Sequence, residues 1–200
     1  MNVRIAQLLS FNAATWYDNE LQMTEYTVKL WMITNTYSDR EQNIAIRRAK
    51  HFVFDQLENT IFIDCAEEDK ARSFMDVGLN VTTIPGPPAD QLIGIMVFHK
   101  LNAIMENRIR VVEIEISTGN GVVYLHNENE TSEDLVQSDW WTAIDLTHCD
   151  LEPADSDKVL SIAHNTVWRD LELDWPTEEV DTKSGNVVVF ADFKQTDDTK

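Results

Sequence analysis

The chain has 200 residues, a formal net charge of −19 at pH 7 and 43% hydrophobic residues. Such a chain buries enough apolar surface to fold without disulfide bonds or metals, which excludes a wholly disordered protein. No stretch reaches the roughly 18–20 consecutive apolar residues of a membrane span, and the N-terminal residues lack a signal-peptide pattern. Cys65 and Cys149 have no metal-type spacing, so we expect two thiols and a cytoplasmic location.

The negative charge is concentrated near the C-terminus. Residues 1–125 contain 16 acidic and 11 basic side chains, whereas residues 126–200 contain 19 acidic and five basic ones. The net charge is therefore −5 in the first part and −14 in the second. Such a surface repels nucleic acid and anionic lipid and attracts basic partners.

A strand and a capped helix are predicted first along the chain. The run Glu25–Thr36 is rich in β-branched and aromatic residues, which is typical of a strand. Ser38 and Glu41 then form a capping box that begins a helix extending to about Leu57. This helix has a basic cluster of Arg47, Arg48, Lys50 and His51, which we expect to pair with the protein's own acidic tail or with a second subunit.

A second capping box, Asp64–Glu67, begins a shorter helix that ends at Gly78. The run Leu79–Ile84 predicts a short strand, and the Pro85–Pro88 segment must interrupt any helix. Ala89–Asn107 then predicts a central helix that is apolar on several sides. His99 within it is expected to be a hydrogen-bonded core residue.

The clearest local pattern is a hairpin formed by Arg108–Ser117 and Val122–Asn127, which flank an Asn-Gly turn signal. With a two-residue or four-residue loop, Glu113 and Glu115 share one face with two residues of the second strand, Tyr124 and His126.

Beyond this hairpin the pattern is weaker. An acidic loop over 128–139 leads to a short apolar run that begins at Trp140-Trp141. A helix is expected from Asp155 or Ser156 to about Asp170, and a last strand at Val187–Phe193.

These elements predict an α+β protein with a largely antiparallel sheet and helices packed on one face, compatible with a ferredoxin-like core. We expect one domain over residues 1–200. Its core spans about 25–127, followed by an acidic extension over 128–194 and a polar tail over 195–200.

The motifs of nucleotide hydrolases, dinucleotide oxidoreductases, serine hydrolases and zinc proteases are absent from the sequence. The remaining catalytic candidates are Glu113, Glu115 and His126, which on one face would suit a hydrolase or nuclease with a divalent metal. The same residues also fit a solvated sheet face without a site. His148 and Cys149 lack a second ligand cluster, so neither a resident metal nor a cofactor is expected.

The acidic C-terminal third carries the main functional hypothesis. Short runs there, such as Asp170–Asp174, place acidic residues at every second position, and they are interspersed with tryptophans, which are typical of interface anchors. The predicted partner-binding residues are Glu128, Glu130, Asp170, Glu172, Asp174, Trp175, Glu178 and Glu179.

We therefore expect a non-enzymatic acidic binding or regulatory protein. The class considered is an inhibitor that imitates DNA and engages the basic surface of a nucleic-acid-handling enzyme, without direct contact to nucleic acid or membrane. Two alternatives stay open, namely the metal-dependent hydrolase and a homo-oligomeric structural subunit.

Overall fold

The computed structural model describes residues 4–130, 139–149, 151 and 167–176. These residues form one six-stranded mixed sheet and four helices. The strands are β1 (Arg4–Tyr17), β2 (Glu20–Thr34), β3 (Ile61–Asp64), β4 (Val81–Ile84), β5 (Ile109–Thr118) and β6 (Val123–Asn127). The helices are α1 (Asp39–His51), α2 (Glu68–Asp76), α3 (Asp90–Ile104) and α4 (Asp139–Thr142).

The strands are arranged in the order β4-β3-β1-β2-β5-β6. β1, β2, β5 and β6 pair antiparallel, and β3 and β4 continue the sheet in parallel beside β1. This arrangement confirms the α+β class with a largely antiparallel sheet. It does not confirm the ferredoxin-like core.

The longest antiparallel pair is the hairpin of β1 and β2, which are joined by a two-residue turn. Asp18 and Asn19 in this turn have φ values of 52° and 61°, as expected of a type I′ hairpin turn. Neither β1 nor β3 was predicted from the sequence, and the start of the core was expected at about residue 25. The Asp-Asn pair between two apolar runs was the local signal for this hairpin.

Helix α1 begins where its capping residue predicts, because the Ser38 hydroxyl accepts from the Glu41 backbone N–H at 3.3 Å. The helix continues as a π-helical segment, Phe52–Leu57, and so ends where expected. Helix α2 begins at Glu68, and the predicted capping box at Asp64–Glu67 is wrong, because Asp64 ends strand β3 and Glu67 makes no side-chain cap. The helix is followed, as predicted, by Gly78, whose φ of +82° is a left-handed conformation suited to glycine.

The main hydrophobic core lies between one face of the sheet and helices α1 and α3. Along β1, Leu9, Phe11 and Ala13 point into this core, whereas Ala14 and Trp16 point to the opposite face and join a smaller cluster with α2. The two principal helices therefore cover one face, and α2 covers only the end of the other face that includes β3 and β4. The rest of that second face, which carries Lys29, Trp31, Glu113, Glu115 and Leu125, is the open face of the sheet.

Helix α3 is the central helix of the molecule and is buried on most sides. It packs closely on β5, because a Cβ atom built at Gly94 would lie 2.7 Å from the Ile116 Cγ2 atom. No helix among the described residues is long and apolar enough to cross a membrane.

The described C-terminal residues pack against this core. Trp140 in α4 is 1% exposed, and its indole N–H donates to the Thr83 carbonyl on β4 at 3.0 Å. The predicted strand Val187–Phe193 and most of the helix expected after Asp155 lie outside the described residues.

Candidate functional site

The register of the β5–β6 hairpin decides whether the three predicted catalytic residues can meet. Ser117 pairs with Val123, so that five residues lie between the last paired positions. The prediction assumed a loop with an even number of residues, either two or four. One extra residue turns every side chain of β6 to the other face. His126 therefore pairs with Ile114 and lies on the core side of the sheet. The prediction that His126 shares a face with Glu113 and Glu115 is wrong.

Glu113 and Glu115 lie on the open face. Glu115 is opposite Lys29 on β2, and the Lys29 Nζ atom lies 3.6 Å from the Glu115 carboxylate. The same ammonium group lies 4.3 Å from the centre of the Trp31 ring. Trp31 in turn pairs with Glu113 across the sheet. The two carboxylates thus face a cation and an indole on a solvated sheet.

His126 has a different environment under helix α3. Its ring lies 4.9 Å from that of Phe98 and 6.0 Å from that of His99, and Nδ1 lies 3.0 Å from a Glu130 carboxylate oxygen. Burial, with a smaller contribution from His126, lowers the pKa of His99. Among the described residues there is no group of three or more His, Cys, Asp or Glu side chains that could hold a metal ion.

The acidic turn, which we define as residues 167–176, is attached to α1 through Arg48. The Arg48 guanidinium carbon lies 4.7 Å and 4.0 Å from the ring centres of Trp168 and Trp175. Its nitrogen atoms donate to the carbonyls of Leu173 and Ile104 at 2.8 and 3.0 Å. Burial lowers the pKa of Arg48, an effect that the Glu106 carboxylate opposes. Arg48 thus contacts the C-terminal third through a carbonyl and two indole rings, whereas its carboxylate partner is Glu106, which lies outside that third.

Within the acidic turn the apolar and acidic side chains separate. Trp168 and Leu173 are buried, whereas Asp170, Glu172 and Asp174 are exposed. The backbone makes this separation, because the Leu173 N–H donates to the Trp168 carbonyl at 2.8 Å and Glu172 has a φ of +56°.

Several predicted partner-binding residues have contacts within the protein. Glu128 pairs with Arg110 at 2.7 Å, and Asp174 pairs with Arg169 at 3.3 Å. Trp175 was expected to be an interface anchor, but it is half-buried and donates to the Glu106 carboxylate at 2.6 Å. Its large side chain therefore stabilises the fold. The remaining two predicted partner-binding residues, Glu178 and Glu179, lie outside the described residues.

Lys100 is a buried charged residue to which the sequence analysis assigned no role. Its Nζ atom donates to the carbonyls of Trp140 and Ala143, both at 3.0 Å, and lies 3.9 Å from Asp145. Burial lowers the pKa of Lys100 to about 8. A lone lysine inside an apolar helix was the available signal, since such a residue needs polar partners when it is buried.

Comparison with known proteins assigns no family to this chain. No family model and no curated protein matches it. Two similar solved structures are an uncharacterized protein of Wolinella succinogenes and the 6-pyruvoyl tetrahydropterin synthase of Caenorhabditis elegans. The first is 11% identical with a TM-score of 0.47, over 64% of this chain and 99% of the other. The second is 12% identical with a TM-score of 0.44, over 64% of this chain and 96% of the other. At this level the likeness carries no conclusion about function.

Proposed function

We propose that this protein is a non-enzymatic acidic binding protein that engages a basic surface of another protein. The observation that carries the proposal is the acidic turn, which holds its tryptophans inward and its carboxylates outward. Asp170, Glu172 and Asp174 are exposed on a backbone attached to the core through Arg48. A fixed acidic surface binds a basic partner with less loss of conformational entropy than a mobile one.

The charge of the whole chain supports the same proposal. With −14 in residues 126–200, the electrostatic field accelerates encounter with a basic protein, and the acceleration falls as salt screens it. The basic channel of a nucleic-acid-handling enzyme is the partner class that we propose, since such a channel is built to receive closely spaced negative charges.

A cytoplasmic location is part of this proposal. Cys65 is exposed and Cys149 is buried, and the two form no disulfide bond in the structure. Reduced cysteines are typical of proteins from a reducing compartment, where the proposed partners are also found.

A charge-neutralised variant tests the proposal. The triple variant D170N/E172Q/D174N removes three exposed carboxylates, and E20Q/D69N/D76N removes three exposed carboxylates far from the acidic turn as the matched control. Partners captured from lysate at low salt are identified by mass spectrometry and then titrated as purified proteins.

We expect the wild type and the control to bind a basic protein with an affinity that falls as salt rises. The D170N/E172Q/D174N variant should bind about tenfold or more weakly, because exposed charges contribute modestly each and act together. Equal binding by both triple variants would show that the acidic turn is not the contact surface.

The geometry of the β5–β6 hairpin does not support the alternative of a metal-dependent hydrolase. Its three residues lie on opposite faces of the β5–β6 hairpin, so that one ion cannot contact Glu113, Glu115 and His126 together. We therefore do not propose this activity.

A further inference from the structure

Strand β6 forms one edge of the sheet, and its hydrogen bonds show which backbone groups point outward. The Glu128 N–H donates to the Val112 carbonyl at 3.0 Å. Because bonded and non-bonded pairs alternate in an antiparallel ladder, the next bonded positions of β6 are His126 and Tyr124. The N–H and C=O groups of Val123 and Leu125 therefore point away from β5.

These outward groups have no hydrogen-bond partner within residues 4–130, 139–149, 151 and 167–176. The opposite edge of the sheet differs, because the Trp140 indole N–H binds the Thr83 carbonyl of β4. Exposed edges are templates for pairing with another chain, and proteins usually protect them. Within the described part of the chain, the β6 edge is the less protected of the two.

The side chains beside this edge combine apolar and acidic groups. Val123 and Leu125 are 50% and 58% exposed on the open face. The hairpin and its exit, residues 109–130, contain four glutamates and one arginine. Glu113 and Glu115 lie on the neighbouring strand, and side chains on an added strand would be about 10 Å from them, two strand spacings away.

We propose that an extended basic segment of the partner protein adds to β6 as a seventh strand. Its backbone pairs with the outward groups of Val123 and Leu125. On the open face, its apolar side chains pack on these two residues, and a lysine or arginine two positions further along the same face reaches towards Glu113 and Glu115. Strand addition gives affinity through main-chain bonds and selectivity through alternate side chains. This inference rests on the proposed function. It adds to the acidic turn a second contact, at the β6 edge, and the backbone conformation of the partner segment there.

Charge favours a basic peptide over a second copy of this chain. Two copies bring −19 each, and pairing β6 with itself brings the acidic hairpins of the two copies together. Like charges at such a distance oppose association, whereas a basic segment neutralises them.

The test uses a fluorescently labelled peptide of sequence KTVTVTK with the 200-residue protein. Its lysines and valines share one face of an extended strand, and its threonines occupy the other. Leu125→Pro removes an outward N–H that β5 does not use, which is the position where a strand tolerates proline. Leu125→Ala keeps the N–H and removes most of the side chain. A second peptide, N-methylated at alternate residues, keeps the charge but loses hydrogen-bond donors.

We expect L125P to weaken binding about tenfold, and the N-methylated peptide to bind similarly weakly, as the loss of one to two backbone hydrogen bonds implies. L125A should lose about threefold or less by the same reasoning. If L125P does not fold, as judged by circular dichroism, the two peptides measured against the wild type decide the question.

Two outcomes would overturn the proposal. Equal binding of both peptides to the wild type would mean that charge alone attracts the probe. A wild-type dimer in sedimentation that becomes monomeric in L125P would make a second copy the occupant of the edge. The proposed function is tested separately, because D170N/E172Q/D174N changes capture of the natural partner and leaves the β6 backbone intact.

Discussion

The guanidinium carbon of Arg48 lies 4.0 Å from the centre of the Trp175 ring, and these two residues join the acidic turn to helix α1. Arg48 is 1% exposed. Its polar atoms are satisfied by the carbonyls of Leu173 and Ile104 and by the Glu106 carboxylate. A buried charge with this many partners is stable only while all of them are present.

We therefore expect Arg48→Met to lower the free energy of unfolding by about 3–5 kcal/mol, the usual effect of breaking a buried pair. Urea denaturation gives this value, and proteolysis should cut the acidic turn of the variant first. The control is Arg47→Met on the exposed side of α1, which should change stability by no more than about 0.5 kcal/mol. Similar losses in the two variants would contradict the role of Arg48.

Because of Lys100, the free energy of unfolding should rise with pH between about pH 8 and 10. Burial lowers its pKa to about 8, against 10.5 when it is exposed, so between these values the unfolded chain binds more protons than the folded one. Stability is then lowest below pH 8 and rises towards pH 10. Urea unfolding at pH 7.5, 8.5 and 9.5 measures the slope.

The control for this slope is Lys100→Met, which should reduce it and also lower stability at every pH, because the Trp140 and Ala143 carbonyls lose their donor. Tyr26, whose pKa burial raises, acts in the opposite direction above pH 10 and is the reason to stay below it. An identical slope in the wild type and in the lysine variant would exclude Lys100 as its source.

The close approach of α3 to β5 should make Gly94 intolerant of a side chain. A Cβ atom there would overlap the Ile116 Cγ2 atom, so we expect Gly94→Ala to cost about 1–3 kcal/mol despite its better helix propensity. Thermal unfolding measures the loss. In the double variant with Ile116→Ala, the loss of unfolding free energy should be smaller than the sum of the two single losses, because Ile116→Ala removes the atom that the new Cβ overlaps.

Gly119 is the matched control, because a Cβ atom at that position meets nothing within 4 Å. Gly119→Ala should leave the melting temperature nearly unchanged. If Gly94→Ala behaved in the same way, the packing of α3 on β5 would be looser than described.

The β5–β6 register predicts that Glu113 and His126 do not bind the same metal ion. Should Mn²⁺ produce a thermal shift, Glu113→Gln and His126→Asn should not both abolish it, because their side chains lie on opposite faces. Differential scanning fluorimetry with and without Mn²⁺ measures this. Loss of the shift in both variants would place the two side chains at one ion and contradict the register.

Local patterns of the sequence predicted helices α1 and α3 and the end of α2, but neither the start of α2 nor helix α4. The capping serine Ser38 and the left-handed Gly78 mark helix ends because they satisfy backbone groups, or allow a conformation, within a few residues. The β5–β6 hairpin was also recognisable from its alternating pattern. Which face each β6 side chain occupies was not recognisable. It depends on whether the loop has an odd or an even number of residues, and packing of the strands against the core decides this number.

The sequence by itself determined the acidic charge, the α+β class and the local ends of the helices, because these depend on composition and on neighbours along the chain. Only the tertiary structure decided the strand order, the separation of Glu113 from His126 and the place of Trp175 beside Arg48. These features join residues far apart in sequence, up to 127 positions for Arg48 and Trp175. Packing of the whole core selects such contacts, and no local pattern encodes them.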